Sequence, residues 1–227
     1  MKILVACEES QAVTKEFRRQ GHEAYSCDII EYSGGHPEWH IMQDVLPLLN
    51  GRCSFKTMDG EEHRLEGRWD MIIAHPPCTY MSKAGARWMY PKAGTVCQKR
   101  LEKAMEAKEF FYKIFNADCQ RIAVENPVPL KIVGLPVCSQ KIQPYQFGHP
   151  YSKTTCLWLK GLPVLNPTNI LSEYRPFLPS NTGAFSRGGG GSRGVAHDAK
   201  TAAKTFLGVA KAMAEQWAGV ADKGGKP

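Results

Sequence analysis

The sequence predicts an α/β fold built on a doubly wound, mainly parallel sheet, and three observations carry that prediction. Short apolar runs rich in β-formers alternate with longer amphipathic stretches along most of the chain. The first run, a helical stretch and a second run form a β-α-β unit that closes on an acid, Asp28, about 20 residues past the first run. Chemistry-bearing residues then recur where runs stop, which is where such sheets bind their ligands.

Residues 3–7 read as the first strand. Glu8-Glu9-Ser10-Gln11 leads into a helix over 12–20, with Ala12, Val13 and Phe17 on one face and Gly21 as its stop. Residues 24–27 are the second strand, 32–39 a loop, and 41–45, containing Asp44, a strand end or turn. The run 69–74 is a buried parallel strand. His75-Pro76-Pro77 must end it, because proline donates no ladder bond and restricts the residue before it. Residues 81–93 read as loop, punctuated by Gly85 and Pro91. A long helix over 96–115, a strand over 121–124 halted by Pro127, and two late strands over 141–147 and 155–159 follow. A final helix over 199–217 puts Phe206, Val209, Ala210, Met213 and Trp217 on one face. Residues 1–227 are expected to form a single domain, with 160–198 a short loop-rich insertion before the C-terminal helix. Within that insertion, 186–194 is a glycine-rich linker or, through Arg187 and Arg193, a phosphate contact.

A chain of 227 residues that is 43% hydrophobic suits one α/β domain with a sizeable core. No apolar run reaches the ~20 residues that span a bilayer, and the opening residues turn acidic too soon for a signal peptide. The 8 cysteines are irregularly spaced with no Cys-x-x-Cys pair, which argues against a zinc ribbon or a disulfide framework. His36 and His40 have no further ligand nearby, so no metal site is expected. These features point to a cytoplasmic protein without membrane attachment, with a monomer as the expected state. The net charge of +7 suits a polyanion such as DNA, and equally an ordinary solvated basic surface.

Cys7, Asp28, the run His75-Pro76-Pro77-Cys78 and the pair Glu125-Asn126 all fall at ends of separate predicted strands, hence on one rim. A cysteine after a buried strand is, alone, well explained as a small core residue. The rigid Pro-Pro turn beneath it, and a carboxylate-carboxamide pair arriving at the same rim, argue for chemistry. A turn or capping pair is the other reading of Glu125-Asn126.

In order, Pro77-Cys78, Ser82-Lys83-Ala84-Gly85 and Val124-Glu125-Asn126 resemble motifs of the DNA (cytosine-5) methyltransferase family, in its small phage and prophage form. Phe147-Gly148-His149-Pro150-Tyr151-Ser152-Lys153 is similar to a later motif, and the resemblance covers roughly residues 1–160 plus the last helix. It implies a Rossmann-like, class I S-adenosylmethionine-dependent fold without a large target-recognition domain. It further implies methyl transfer from S-adenosylmethionine to C5 of cytosine in DNA through a covalent Cys78 adduct at C6, with the base flipped from the duplex. Cys78 would then need a lowered thiol pKa. Glu125 would hold N3 and the exocyclic amine and protonate N3, which needs a raised carboxyl pKa. Asn126 would brace the cysteine turn, and Lys153 would position the base or its phosphate. Cofactor contacts carried over are Ala6, Cys7, Glu8, Ser10, Asp28, Ile29, Asp44, His75 and Pro76. Substrate contacts are Pro77, Ser82, Lys83, Arg87 and Tyr151, with Trp88 and Tyr90 closing over the base.

The chain departs from the family at Ala6-Cys7-Glu8-Glu9-Ser10, which has no glycine, and at His75 and Thr79, which stand for a glycine and a glutamine. Glu8 is expected to hold the cofactor amine or to be solvated near a helix N-terminus. About 40 residues separate Lys153 from the last helix, too few for an independent recognition domain. The same chemistry on a free pyrimidine nucleotide or RNA stands as an alternative, as does a catalytically inactive nucleic-acid-binding relative.

Overall fold

The computed structural model describes residues 1–177 and 203–221. Along the chain run β1 (Lys2–Ala6), α1 (Ala12–Arg19), β2 (Glu23–Asp28), β3 (His40–Met42), β4 (Cys53–Lys56), β5 (Glu62–Leu65), β6 (Met71–Ala74) and a one-turn helix α2 (Ala86–Met89). Then come α3 (Gln98–Phe115), β7 (Ile122–Pro127), β8 (Gln140–Ile142), β9 (Tyr151–Ser152), β10 (Thr155–Lys160), β11 (Arg175–Pro176) and α4 (Leu207–Trp217). Among the described residues, seven strands form one sheet in the order β3-β2-β1-β6-β7-β10-β8. The first five are parallel, and β10 runs antiparallel to both β7 and β8. The mainly parallel α/β class is therefore the one the sequence predicts. Strand order reverses between β1 and β6, which opens a crevice at their C-terminal ends.

The central strands are continuous apolar runs because both faces of the sheet are covered. Leu4, Ala6, Ile72, Ala74, Ile122 and Val124 face Phe111 and Ile114 of α3, with Phe55 and Leu65 of the β4-β5 hairpin beside them. Ile3, Val5, Met71, Ile73 and Ala123 face Val13 and Phe17 of α1 and Val209, Ala210, Met213 and Trp217 of α4. The stripe expected on the last helix is thus part of the core, where each large side chain contributes about 1.5–3 kcal/mol.

Several expectations change. The strand expected over 141–147 is only β8, because Pro144 removes a ladder donor and Gln143 and Gln146 cap the short turn Pro144–Gln146 reciprocally. Residues 81–93 are not an open loop: Met81 and Met89 are buried with Ala104, Leu130 and Val133 in a small core of their own. The hairpin β4-β5 is absent from the predicted elements, and it turns at Asp59-Gly60 with Gly60 at φ 98°. The segment 186–194 and residues 199–202 of the expected final helix lie outside the described residues. In the described part of the expected insertion, 160–177, Lys160 ends β10 and β11 is the one further strand, paired with β9. Among the described residues, no helix is long and apolar enough to cross a membrane.

The start of α4 is held closely to the rim. Gly208 N–H donates to His149 Nε2 at 2.8 Å, and a Cβ on Gly208 would stand 2.0 Å from Phe147 O. A backbone oxygen cannot yield as a flexible side chain can. Gly208→Ala is therefore expected to destabilise the fold by on the order of 2–3 kcal/mol, read as a lower urea midpoint.

Candidate active site

The Cys78 turn grows out of β6. His75 N–H still reaches Ala6 O at 2.9 Å, so the chain keeps its register with β1 until the prolines release it. The Cys78 carbonyl then accepts N–H bonds from Met81 and Ser82 at 3.1 and 3.0 Å. Asn126 is fully buried at the end of β7, and its Nδ2 donates to Pro76 O at 3.3 Å. That bond ties the cysteine turn to β7. Ser82, also buried, hydrogen-bonds the Cys78 thiol. Burial first, and then the Glu125 charge, push this thiol above its ordinary 9.0; Lys153 and Ser82 pull it down without cancelling the rise. The lowered thiol pKa expected of a nucleophile is thus not found in the protein alone.

Glu125 meets a partner that lies 50 residues away in sequence: its Oε2 is 3.0 Å from His75 Nδ1, with side chains 13% and 10% exposed. Burial raises the Glu125 carboxyl, but the hydrogen bond from His75 and the charges of Lys153 and His75 outweigh it and leave the group below its ordinary 4.5. Burial lowers His75, but the hydrogen bond and charge of Glu125, together with the charge of Glu8, leave it above its ordinary 6.5. The expectation of a raised Glu125 is overturned because an imidazolium neutralises it. Between pH 4.5 and 6.5 the two form an ion pair.

Lys153 sits between this pair and α4. Its charge acts on Cys78, His75 and Glu125, and its ammonium lies 5.9 Å from the Phe206 ring centroid. Tyr151 packs in an aromatic cluster with Phe177 and Phe206, under the Arg175 guanidinium at 5.7 Å. Lys83 and Arg87 are exposed, and Arg87 stacks on Trp88 at 3.9 Å. Sequence reasoning missed Tyr80 and Arg100. Arg100 donates to Thr79 O at 2.5 Å and lies 4.9 Å from the Tyr80 ring. Gly85 leaves room for this crossing, since a Cβ there would stand 2.7 Å from the guanidinium.

Beside Cys78 opens a cleft of about 460 Å³, with Pro77 in its wall. Cys7, Asp28, Ile29, Asp44 and Val45 come from the ends of the first strands, and Ala107 and Phe110 come from α3. Burial raises the Asp28 carboxyl. Four of the expected cofactor residues, Cys7, Asp28, Ile29 and Asp44, therefore meet here. Ala6, Ser10, His75 and Pro76 do not line the cleft, and neither does Glu8, which is neither solvated nor open to an amine. Glu8 is buried and accepts from Val13 N–H at 2.6 Å, Thr14 N–H at 3.2 Å and the Thr14 hydroxyl at 2.7 Å, capping α1. The α3 wall had a signal in the sequence: Lys103, Glu106, Ala107 and Phe110 fall at i, i+3, i+4 and i+7, one helical stripe.

The glycine-free first turn folds as a glycine would. Cys7 takes φ 58° and Gln11 φ 56°, both left-handed. A non-glycine residue there costs roughly 1–2 kcal/mol. Cys7→Gly is expected to change stability by no more than about 1 kcal/mol, because relief of strain offsets lost packing and added chain entropy. The β-branched Cys7→Val should cost roughly 2 kcal/mol more than that, and paired urea titrations measure the difference.

No family model matches the sequence, and no curated protein matches it. Among solved structures, the chain is similar to a protein described as a DNA modification methyltransferase encoded within an E. coli prophage, at 14% identity and a TM-score of 0.46, over 75% of this chain and 52% of that one. It is also similar to a mutant of Spodoptera frugiperda DNMT2, at 15% identity and a TM-score of 0.36, over 80% of this chain and 56% of that one. The chain spans about half the length of these structures.

Proposed function

We propose that this chain transfers the methyl group of S-adenosylmethionine to C5 of cytosine in DNA through a covalent bond between Cys78 Sγ and C6. The observation that supports this most is the meeting of Cys78, Glu125, Asn126 and Lys153 at one rim, next to a cleft of about 460 Å³ that shares Pro77 with them.

The cleft suits the cofactor in size and character. Ile29, Val45 and Phe110 offer apolar walls to a purine, and Asp28 and Asp44 offer acceptors to ribose hydroxyls and an amine. When bound, S-adenosylmethionine supplies an electrophilic methyl group. The chain's own residues activate the ring, and the C5 proton that the methyl group replaces is lost to solvent. Cys78 Sγ adds to C6, the displaced electron pair moves into the ring, and N3 takes a proton. Glu125 accepts from the exocyclic amine. Asn126 keeps the cysteine turn on β7, and Lys153 favours the thiolate. Cys78 is only partly exposed, so a base within a duplex must leave its stack to reach it. Arg87 on Trp88 and Arg100 beside Tyr80 give phosphate and base contacts at the entrance.

Labelled S-adenosylmethionine is incubated with duplex DNA, single-stranded DNA, RNA or dCMP. Label at C5 of DNA cytosine supports the proposal. Label only on RNA or dCMP moves it to the alternative substrate. Absence of both transfer and calorimetric cofactor binding overturns it in favour of an inactive relative.

A further inference from the structure

His75 Nε2 is buried and has no hydrogen-bond partner among the described residues, so the ring's sole hydrogen bond there is the one to Glu125. A buried imidazole kept only for packing would be better replaced by an apolar side chain, since an unpaired polar atom costs about 1–3 kcal/mol. The charged groups around it divide the work. Glu8, arriving from the end of β1, has both oxygens engaged by Val13 and Thr14 of α1, so it acts on His75 through its charge and not by a hydrogen bond. Lys153, from the segment before β10, opposes a second positive charge. Among the described residues, Glu125 on β7 is the acceptor that the ring hydrogen-bonds.

We propose that His75 is the positioning residue behind Glu125: it holds Oε2 through Nδ1 and supplies the proton that Oε2 passes to ring nitrogen N3 as Cys78 adds to C6. This rests on the cytosine-C5 reading above. The balance is simple. The Nδ1–H bond breaks, the proton crosses Oε2 and forms an N–H bond at N3, and the Sγ–C6 bond forms with the thiolate electron pair. The pair is left as neutral imidazole and carboxylate. After methyl transfer the C5 proton is lost to solvent, its bonding pair re-forms the C5–C6 double bond as Cys78 leaves as thiolate, and the N3 proton returns by the same path.

The test is the pH profile of kcat/KM in wild type and His75→Asn. Asparagine places an N–H donor near Nδ1 but holds no dissociable proton. In wild type the rate needs a thiolate on Cys78 and a proton on the pair. It should rise with pH, level at a break above 6.5 where the pair loses its proton, and fall again above the pKa of Cys78. In His75→Asn, kcat/KM should drop on the order of 100-fold and the break above 6.5 should vanish. An asparagine variant with wild-type rate and profile would overturn the inference while leaving the cytosine reading intact. A wild type that labels no cytosine would remove the reading and the inference together. Imidazole ¹⁵N titration needs no turnover and guards against a poorly folded variant. The His75 resonance should titrate above 6.5 in wild type and below it in Glu125→Gln, and a wild-type value below 6.5 overturns the proposal.

Discussion

Cys78→Ala is expected to lower methyl transfer by on the order of 10⁴-fold or more and to abolish covalent trapping on DNA containing 5-fluorocytosine. C5 of cytosine is a weak nucleophile until sulfur adds at C6, so the loss falls on the chemical step rather than on binding. The thiol makes its known polar contact with Ser82, and the turn itself is held by the backbone bonds from Met81 and Ser82 and by Asn126 on Pro76 O. Those bonds survive the substitution. The fold should therefore lose only about 1 kcal/mol from the Ser82 hydroxyl left without its sulfur. Calorimetric affinity for S-adenosylmethionine should be unchanged, because Pro77 and not Cys78 lines the cleft. Cys78→Ser keeps the Ser82 contact but offers a hydroxyl far harder to ionise, so it should be equally inactive. A variant that still transfers label to cytosine C5 would remove Cys78 from the reaction.

The raised thiol pKa sharpens this expectation. Burial and Glu125 hold Cys78 protonated at neutral pH, so the empty site is protected from adventitious alkylation. The thiolate must form when a base enters and the Glu125 charge is engaged elsewhere. Reactivity is thus tied to substrate, which a permanently ionised thiol would not achieve.

What the sequence made legible follows from the range of each interaction. Strands buried on both faces, such as β1 and β6, are readable because their apolar runs are unbroken and the prolines after His75 fix where β6 stops. The final helix is readable because its stripe packs as periodicity demands. The hairpin β4-β5 carries a readable signal too, Asp59-Gly60 between alternating strands, although its strands are short and half exposed. The stretch 81–93 defeats local reading, since Met81 and Met89 are buried by Leu130 and Val133 from beyond α3. The site divides in the same way. The identities of Cys78, Glu125 and Asn126 at one rim are local facts. Their ionisation is not, since His75 and Lys153 reach Glu125 only once β6, β7 and β10 are neighbours. The same holds for Glu8, whose role as a cap depends on how α1 folds back over the first turn.

Glu125→Gln is expected to cut transfer by roughly 10²–10⁴-fold, because the amide can neither carry the proton to N3 nor accept from the exocyclic amine with a full charge. Its effect on stability identifies the pair independently of catalysis. His75 has a raised pKa in the fold, so its contribution is complete below 6.5 and is lost as pH rises through the folded value. Glu125 has a depressed pKa, so its contribution is complete above 4.5 and is lost as pH falls through the folded value. Both are complete between 4.5 and 6.5, where the pair is fully ionised. The variant leaves a buried imidazole facing a neutral amide, with burial lowering its pKa. It should then shed its proton rather than remain a stranded charge, which limits the loss to roughly 1–2 kcal/mol. The stability gap between wild type and variant should be widest at pH 5–6 and should shrink as pH rises beyond 6.5 and wild-type His75 deprotonates. Urea titrations of both proteins across this range measure it. A gap that does not vary with pH would mean that Glu125 and His75 touch without exchanging charge, and the acid role of Glu125 would then have to come from elsewhere on the rim.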